Sequence, residues 1–531
     1  MKYRDIKKVV VIGIGGRGAY YVVKFLHLLG ITVEGYDLKE SDRTKEIESW
    51  GIKINYRNPQ IGEIFDCDLF IYTNDLLKEL QEQIVKDNND KKGLELGMFY
   101  KQIIKDFESG NMNENEIKAF KDSDIAPLYG IDTSKMRYIA VTGTDGKTTT
   151  CTMIYHILKN RGFKPALITT VGAYIGDQQI DTGLHTTTPS SQELFNLIKR
   201  IEEAGYTHVV LEATSHGLVQ GRLAGLKFDT VGYTNITSEH LDYHGDWNSY
   251  CNAKALLIKD HLEDKGLVVL NKDDKSYNIL SKLSDNILTY SITQEADFCG
   301  KDIEELKNKI HFKLENEEKI FPIDIPILGK YNVSNFLCCV AVCKRENISM
   351  DEIKDSILSF KTVKGRMEII QREPYTVIVD YAHTSNAVEN ALRSARLLVK
   401  GNGRLIHVFG CAGRRDFYKR PEMGKLSNEL SDITILTAED PRLEDLKDIN
   451  DQIERGWKEG KNKKGKLFRF DDVDRNVEVR KDAIRKGLEL ASEGDVVIIT
   501  GKGHEESLCF GQIEYDWNDI DEVSRLIKQG I

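Results

Sequence analysis

Short, unbroken apolar runs alternate along this chain with longer amphipathic stretches. Runs of roughly four to eight Val, Ile, Leu, Phe and Tyr residues read as strands covered on both faces, and the stretches between them carry the 3.6-residue period of helices. Three groups of such runs occur. The first holds KKVVVIGIG (Lys7–Gly15), a helix AYYVVKFLHLLG, a strand ITVEGYDL and a strand CDLFIYTN (Cys67–Asn74). The second holds RYIAV, a helix TTTCTMIYHILKN and a strand THVVLEATSH (Thr207–His216). The third holds YTVIVDYAH, RLIHVFGCAG, ITILTAEDPR and DVVIITGKGHE with helices between them. Strands alternating with helices predict mostly parallel sheets. From about Gly93 to Gly130 the chain is polar and reads as a helical connection. The fold class expected is α/β in three domains. Residues 1–135 form a Rossmann-like domain, 136–362 a central P-loop ATPase-like domain with a mostly parallel sheet, and 363–531 a Rossmann-like C-terminal domain.

Bulk properties narrow the functional classes. A length of 531 residues fits three or four domains, and 40% hydrophobic residues suffice for real cores. A net charge of −10 argues against a nucleic-acid binder. Nine cysteines without a CxxC pair read as free thiols in a reducing compartment and leave no zinc ribbon. The first apolar run breaks into glycines, so it reads as a strand and not a signal peptide. No run reaches the roughly 18 apolar residues of a membrane span. The expectation is a soluble cytoplasmic monomer with no membrane or nucleic-acid partner.

The chemistry sits in glycine turns that follow strands. Gly13, Gly15 and Gly18, with Gly16 and Arg17 among them, form G-x-G-x-x-G between a strand and a helix. There the backbone can approach a diphosphate, and the helix N-terminus favours its charge. Asp37, Thr73 and Asn74 stand at the ends of the neighbouring strands. Any nucleotide diphosphate satisfies this turn, so a dinucleotide is not required. The second turn, Gly143, Thr144, Asp145, Gly146, Lys147, Thr148 and Thr149, is shorter than the usual phosphate loop. Lys147 still suits β- and γ-phosphates, and Thr148 suits magnesium. Glu212 closes a nearby strand, where a magnesium ligand belongs. His240 and Lys254 follow in an aromatic, acidic stretch. A dinucleotide-dependent oxidoreductase would use the first turn but leaves Lys147, Glu212 and the last segment unexplained. A non-catalytic nucleotide-binding scaffold draws its support from Asp145.

Taken together, these stretches resemble the Mur ligase family. GTDGKTTT, LEATSHGLVQGR, TSEHLDYHGDWNSYCNAK, LGKYNVSN, GRME, DYAHT, FGC with GRRD and KRPEMG, and GKGHE occur in the family's order from Met136 onward. The MurE branch is the most similar. The resemblance implies an ATP-dependent ligase: ATP phosphorylates a carboxylate, and an amine displaces phosphate to form an amide. It implies that Lys147 and Thr148 hold phosphates and a first magnesium shared with Glu212. It implies a carbamylated Lys254 that ligands a second magnesium with His240, fourteen residues before it. Asn332 falls at the adenine position, and Arg366 and Asp380 at phosphate and ribose positions. Thr187, Thr188, Thr214, Gln220 and Arg222 match positions that hold a UDP-linked peptide or sugar-peptide precursor. Arg415, Glu439, Asp440, Arg442, Gly501 and Glu505 match the pocket for a free amino acid. The chain departs from the family pattern at Asp145 (usually Asn), Ser385 (usually Pro), Arg414 (usually an acid) and in the Glu439–Arg442 stretch, EDPR in place of DNPR. The GIGGRG turn is similar to the MurC and MurD branches. That mixture, with a composition rich in Lys, Glu and Ile, leans toward the archaeal pseudomurein peptide ligases; a bacterial ligase adding diaminopimelate or lysine to a UDP-MurNAc-dipeptide is the alternative.

Overall fold

The computed structural model describes the chain except residues 1–2, 16, 74–77, 89–90, 97, 100–101, 104–105, 107–110, 123–134, 177, 181–187, 190, 224–225, 238, 240, 318, 473 and 475. Among the described residues three large sheets follow one another along the chain, and a two-stranded antiparallel sheet, Ser507–Phe510 with Ile513–Asp516, comes after them.

The first is five-stranded: β1 (Lys8–Ile12), β2 (Thr32–Asp37), β3 (Lys53–Tyr56), β4 (Leu69–Tyr72) and β5 (Lys92–Glu95), in the order β3-β2-β1-β4-β5. All neighbours are parallel. The strand order reverses at β1, so the loop after β1 lies at the switch point where ligands bind in such sheets. The expected polar connection differs in one respect, because β5 lies inside it. Its Gly93 lies against the Phe70 ring, which a Cβ would meet at 2.5 Å.

The central sheet has eleven strands. Its middle is parallel: β6 (Arg137–Thr142) lies between β10 (His208–Glu212) and β11 (Phe228–Tyr233), with β7 (Pro165–Thr169) and β12 (Leu262–Asn271) outside them. β8 (Gly172–Ile175) and β9 (Gln178–Ile180) extend one edge antiparallel. On the other edge β13 (Ile287–Ser291) and β14 (Phe298–Glu305) continue parallel, and β15 (Ile310–Glu315) and β16 (Ile320–Ile325) turn antiparallel. Helices Lys147–Asn160 and Asn332–Arg345 pack on one face, burying Ile154, Ile157, Phe336 and Val340 in a shared core.

The last sheet runs β17 (Glu368–Gln371), β18 (Thr376–Asp380), β22 (Val496–Thr500), β19 (Leu405–Phe409), β20 (Ile433–Leu436) and β21 (Lys466–Arg469). Only β17 is antiparallel. A buried ion pair braces it: Arg480 meets Asp519 at 2.6 Å and donates to the carbonyls of Ala438 and Thr500 at 2.8 and 3.0 Å. Those two carbonyls precede the Glu439–Arg442 and Gly501–Glu505 turns, so the buried guanidinium holds both turns in place. The nine cysteines are free and buried. No helix among the described residues is long and apolar enough to cross a membrane.

Candidate active site

β6 ends at Thr142, and after the four residues Gly143 to Gly146 the chain enters the helix that begins at Lys147. The turn needs its glycines. Gly143 and Gly146 have φ of 151° and 84°, and a Cβ on either would meet Thr234 Oγ1 at 1.9 Å or Asn335 Oδ1 at 2.2 Å. Asn235 shapes the loop from outside: its carbonyl accepts from the Thr144 N–H at 2.7 Å and its Oδ1 from the Asp145 N–H at 3.1 Å. Lys147 Nζ donates to the Thr144 carbonyl at 2.7 Å. Helix N-terminal N–H groups, a lysine and a hydroxyl thus converge, a cradle for phosphate oxygens.

Glu212 faces this loop from the end of β10. Its Oε2 accepts from Thr148 Oγ1 at 3.0 Å and from the N–H and hydroxyl of Thr170, both at 3.2 Å; its Oε1 lies 4.0 Å from Lys147 Nζ. A hydroxyl beside a buried carboxylate is a hard oxygen donor set that suits magnesium. Among the described residues no three His, Cys, Asp or Glu side chains converge on one metal position. His240 lies outside the described residues, so its place in that set is not part of this geometry.

Lys254 is 1% exposed, and its Nζ donates to the Gly143 carbonyl at 2.7 Å. Burial, then the charge of Lys147, holds its pKa well below the ordinary lysine value; Glu239, Glu212 and Asp145 oppose this. The neutral amine is thereby favoured.

Residues of the last sheet close over the loop. Arg366 Nη2 donates to Thr148 Oγ1 at 3.1 Å, and its guanidinium lies 4.3 Å from the centre of the Tyr381 ring. Asp380 is buried and accepts from the Met367 and Ala382 N–H groups, each at 2.7 Å. Asn332 is committed within the protein: it donates to the Leu328 carbonyl at 2.6 Å and accepts from Asn335 Nδ2 at 2.8 Å. His383 closes the run YTVIVDYAH and lies in DYAHT. Its Nδ1 lies 2.9 Å from the Tyr381 carbonyl and its Nε2 3.1 Å from Glu239 Oε1. Burial acts to lower its pKa, but the hydrogen bond and charge of Glu239 outweigh burial and raise it. Two acceptors, one on each ring nitrogen, fit the imidazolium.

The same cavity, about 1850 Å³, reaches from Lys147 and Glu212 to Arg415, Glu439, Arg442 and Glu505. Asp440 and Arg442 have φ of 46° and 54°, in the left-handed region that β-carbon-bearing residues rarely occupy. Such backbone is held where surrounding contacts enforce it. Here Asp440 accepts from buried Lys502 at 2.8 Å and the Cys509 N–H at 2.9 Å, with Arg442 at 3.6 Å. Lys502 also meets Glu505 at 2.5 Å, and Tyr381 donates to Glu505 at 3.1 Å. Glu439 makes no hydrogen bond with its Oε2 among the described residues, and a Cβ on Gly501 would meet that oxygen at 2.7 Å. Burial pushes the Glu439 carboxyl up to about 7, against the nearby charges of Lys419, His383 and Arg480. Arg414 adopts φ of 51° and donates its N–H to Glu444 at 2.9 Å.

Thr188, Thr214 and Arg222 form a second cluster beside Glu212. The Thr188 and Thr214 hydroxyls lie 2.9 Å apart, and Arg222 donates to the Thr188 carbonyl at 2.7 Å. Thr214 and Gln220 bracket the short helix Ser215–Val219 as its caps, and Gln220 lines the cavity. Thr187 lies outside the described residues. The first glycine turn stands apart from this cavity. Gly13 has φ of 78°, and a Cβ there would meet Thr73 Oγ1 at 2.2 Å. Asp37 turns inward, accepting from the Gly15 N–H at 2.8 Å. Arg17 and Gly18 open the helix Arg17–Leu28; Gly16 and Asn74 lie outside the described residues.

Glu239, Asn235, Thr170 and Lys419 line the cavity without having been singled out in the sequence. Two of them carried a signal, Glu239 as the third residue of TSEHLDYHGDWNSYCNAK and Lys419 as the first of KRPEMG.

A phosphate loop and a carboxylate on the central sheet, faced across one cavity by glycine turns of a second α/β sheet, define an ATP-using enzyme of multidomain α/β build. Residues 141–343 match the Mur ligase middle domain and 365–503 the Mur ligase glutamate ligase domain. The UDP-N-acetylmuramoyl-L-alanyl-D-glutamate--2,6-diaminopimelate ligase of Clostridium botulinum is 35% identical over 522 residues, spanning 95% of this chain and 99% of its own. The chain therefore belongs to the Mur ligase family and is an ATP-dependent amide ligase. A solved structure of a UDP-N-acetylmuramoyl-L-alanyl-D-glutamate--2,6-diaminopimelate ligase is 27% identical, with a TM-score of 0.53 over 87% of this chain and 92% of that one. A pseudomurein peptide ligase type C from Methanothermus fervidus superposes with a TM-score of 0.54, covering 99% of this chain and 100% of its own, at 18% identity. At that identity it shares the fold alone. The lean toward the archaeal branch is thereby corrected: similarity in sequence runs to the bacterial diaminopimelate ligases.

Proposed function

We propose that this chain adds a diamino acid, 2,6-diaminopimelate, to UDP-N-acetylmuramoyl-L-alanyl-D-glutamate in the cytoplasm, consuming ATP. The carrying observation is the single cavity that contains both the Lys147–Glu212 phosphate cradle and the Glu439–Arg442 turn. The relatives' names supply the substrates. In this reading the units 1–135, 136–362 and 363–531 bind the UDP moiety, ATP and the amino acid.

A carboxylate is a poor electrophile because oxide is a poor leaving group. Transfer of the γ-phosphoryl group to a substrate carboxylate oxygen releases ADP and makes an acyl phosphate. The amine then forms a bond to the acyl carbon, inorganic phosphate leaves, and the amine nitrogen gives up a proton. Lys147, the loop N–H groups and Arg366 hold and neutralise the phosphates. Thr148 and Glu212 would hold magnesium, with carbamylated Lys254 and His240 holding a second ion; magnesium supplies charge neutralisation at the phosphates. Asn332 and Asp380 flank the nucleoside, and Thr188, Thr214, Gln220 and Arg222 the muropeptide. Arg442 and Arg415 suit a carboxylate of the amine substrate, as guanidinium forks do, and Glu505 and Glu439 suit its ammonium. Gly13 to Gly18, with Asp37 and Thr73, receive the UDP diphosphate.

The test is phosphate release from ATP over a panel of UDP-muropeptides and amino acids. Release that requires both the UDP-dipeptide and diaminopimelate is expected. Release with lysine in preference to diaminopimelate would overturn the amine assignment, and ATP hydrolysis indifferent to both substrates would overturn the ligase reading of the site.

A further inference from the structure

Asp145 puts a carboxylate into a phosphate loop, where it would repel triphosphate at short range. The structure turns it elsewhere. Its N–H is held by Asn235 Oδ1, and its carbonyl accepts from Thr234 Oγ1 at 2.6 Å and Asn235 Nδ2 at 3.2 Å. The carboxylate then reaches the other domain. Oδ1 accepts from Thr384 Oγ1 at 3.2 Å and Oδ2 from Asn386 Nδ2 at 2.8 Å. Thr384 is the N-cap of the helix Ser385–Arg396, accepting from the Ala387 N–H at 3.1 Å. That helix has no acidic residue in its own first turn. A negative charge there complements the helix dipole, and Asp145 provides one from the central domain.

We propose that Asp145 is a positioning residue that docks the start of helix Ser385–Arg396 onto the phosphate loop. It thereby sets the distance between the phosphates and the amino-acid pocket. The proposal rests on the ligase reading above. The stretch Asp380–Asn386 crosses the phosphate loop as a strap. His383 ties it to Glu239, while Thr384 and Asn386 tie it to Asp145. An Asn at 145, the family's usual residue, offers one acceptor where Asp offers two. Its NH₂ group would either face the NH₂ of Asn386 or donate to the Thr384 hydroxyl, and in both cases the helix terminus would lose its charge.

The experiment compares Asp145→Asn with the exchanged pair Asp145→Asn/Asn386→Asp in the full chain. The exchange restores a donor–acceptor match and places an acid in the helix's first turn. Three quantities are read: kcat with KM for each substrate, ATP affinity by calorimetry, and inter-domain distance by fluorescence transfer with ATP alone. Loss of a charge-assisted bond predicts about a tenfold fall in kcat for Asp145→Asn. ATP affinity should hold within about twofold, because the carboxylate faces the helix and not the phosphates. The inter-domain distance should grow, and the exchanged pair should recover most of both losses. An exchanged pair no better than the single variant overturns the proposal, as does a single variant with unchanged kcat and distance. A fall in ATP affinity that the exchange leaves in place also overturns it, because Asp145 would then act on the nucleotide. The distance measurement needs no muropeptide or amine, so it tests docking even if the amine assignment fails.

Discussion

At the residue scale, Lys254 meets the most specific chemical demand. Carbon dioxide adds only to a neutral amine, and burial beside Lys147 favours that form. The proposed carbamate would be an anion able to face magnesium, whereas an ammonium would repel it. Lys254→Ala and Lys254→Arg should therefore each lose two to three orders of magnitude in amide formation, as loss of a charge-stabilising group does. Short carboxylates should partly rescue Ala and not Arg, which fills the space and keeps its charge. Near wild-type rates in Lys254→Arg would exclude the carbamate. Glu439 gives a stability test. Its folded pKa of about 7 lies above its ordinary value of 4.5. Its contribution is thus fully present below pH 4.5 and lost as pH rises through 7, roughly 3 kcal/mol across that window. Denaturant titrations should show wild type losing stability against Glu439→Gln over that range, and parallel curves would contradict the burial argument. Lys147, Thr148 and Glu212 were legible in sequence because one short turn and one strand end place them. Asn235 and Thr170 were not, because their contacts, to the phosphate loop and to Glu212, join loops far apart in the chain.

At the element scale, glycine turns mark RYIAV, RLIHVF and DVVIIT as parallel strands in the sequence, while nothing marks β11, β12 and β13, and the runs overrun the ends of the strands they contain. The run ITILTAEDPR is a strand only over Ile433–Leu436, with Arg442 forming a lone bridge to Phe510, and DVVIITGKGHE is a strand only over Val496–Thr500. Beyond those strands Glu439, Asp440, Arg442, Gly501 and Glu505 line the cavity, and the apolar beginnings of the runs conceal the point of departure. The antiparallel strands β15 and β16 were missed, since Ile310–Glu315 and Ile320–Ile325 mix charged residues into short runs that no glycine turn marks. Two glycines at opposite ends of helix Lys147–Asn160 separate backbone strain from crowding. Gly146 and Gly162 have φ of 84° and 83°, but a Cβ meets Asn335 at the first and nothing within 4 Å at the second. Gly146→Ala and Gly162→Ala should each cost about 1–2 kcal/mol for the left-handed backbone. Only Gly146→Ala should lower ATP turnover, on the order of tenfold or more, because Asn335 and the loop must shift together. Equal turnover in the two variants would show that the loop tolerates the displacement.

At the scale of the whole molecule, the first sheet shows where sequence reading went astray and where it made a testable claim. GIGGRG suggested a branch of the family, yet the pattern reports only what a diphosphate needs from a strand–turn–helix. Ancestry was legible in the long alignment to the Clostridium botulinum ligase, not in three glycines. The physical claim is that this turn takes UDP. Gly13 cannot carry a side chain without striking Thr73, and the turn opens onto the helix at Arg17 where anions are favoured. A ligand that binds only the folded state stabilises it by about 2.7 kcal/mol at a hundred times its Kd. UDP should therefore raise the melting temperature of the intact chain, or of its first transition if unfolding proceeds in steps, while NAD leaves it unchanged. Gly13→Ala should abolish the UDP response and keep the response to ATP, because the two turns lie on different sheets. A shift with NAD and none with uridine nucleotides would reassign the turn to a dinucleotide. A UDP shift that survives in Gly13→Ala would move the uridine site elsewhere on the molecule.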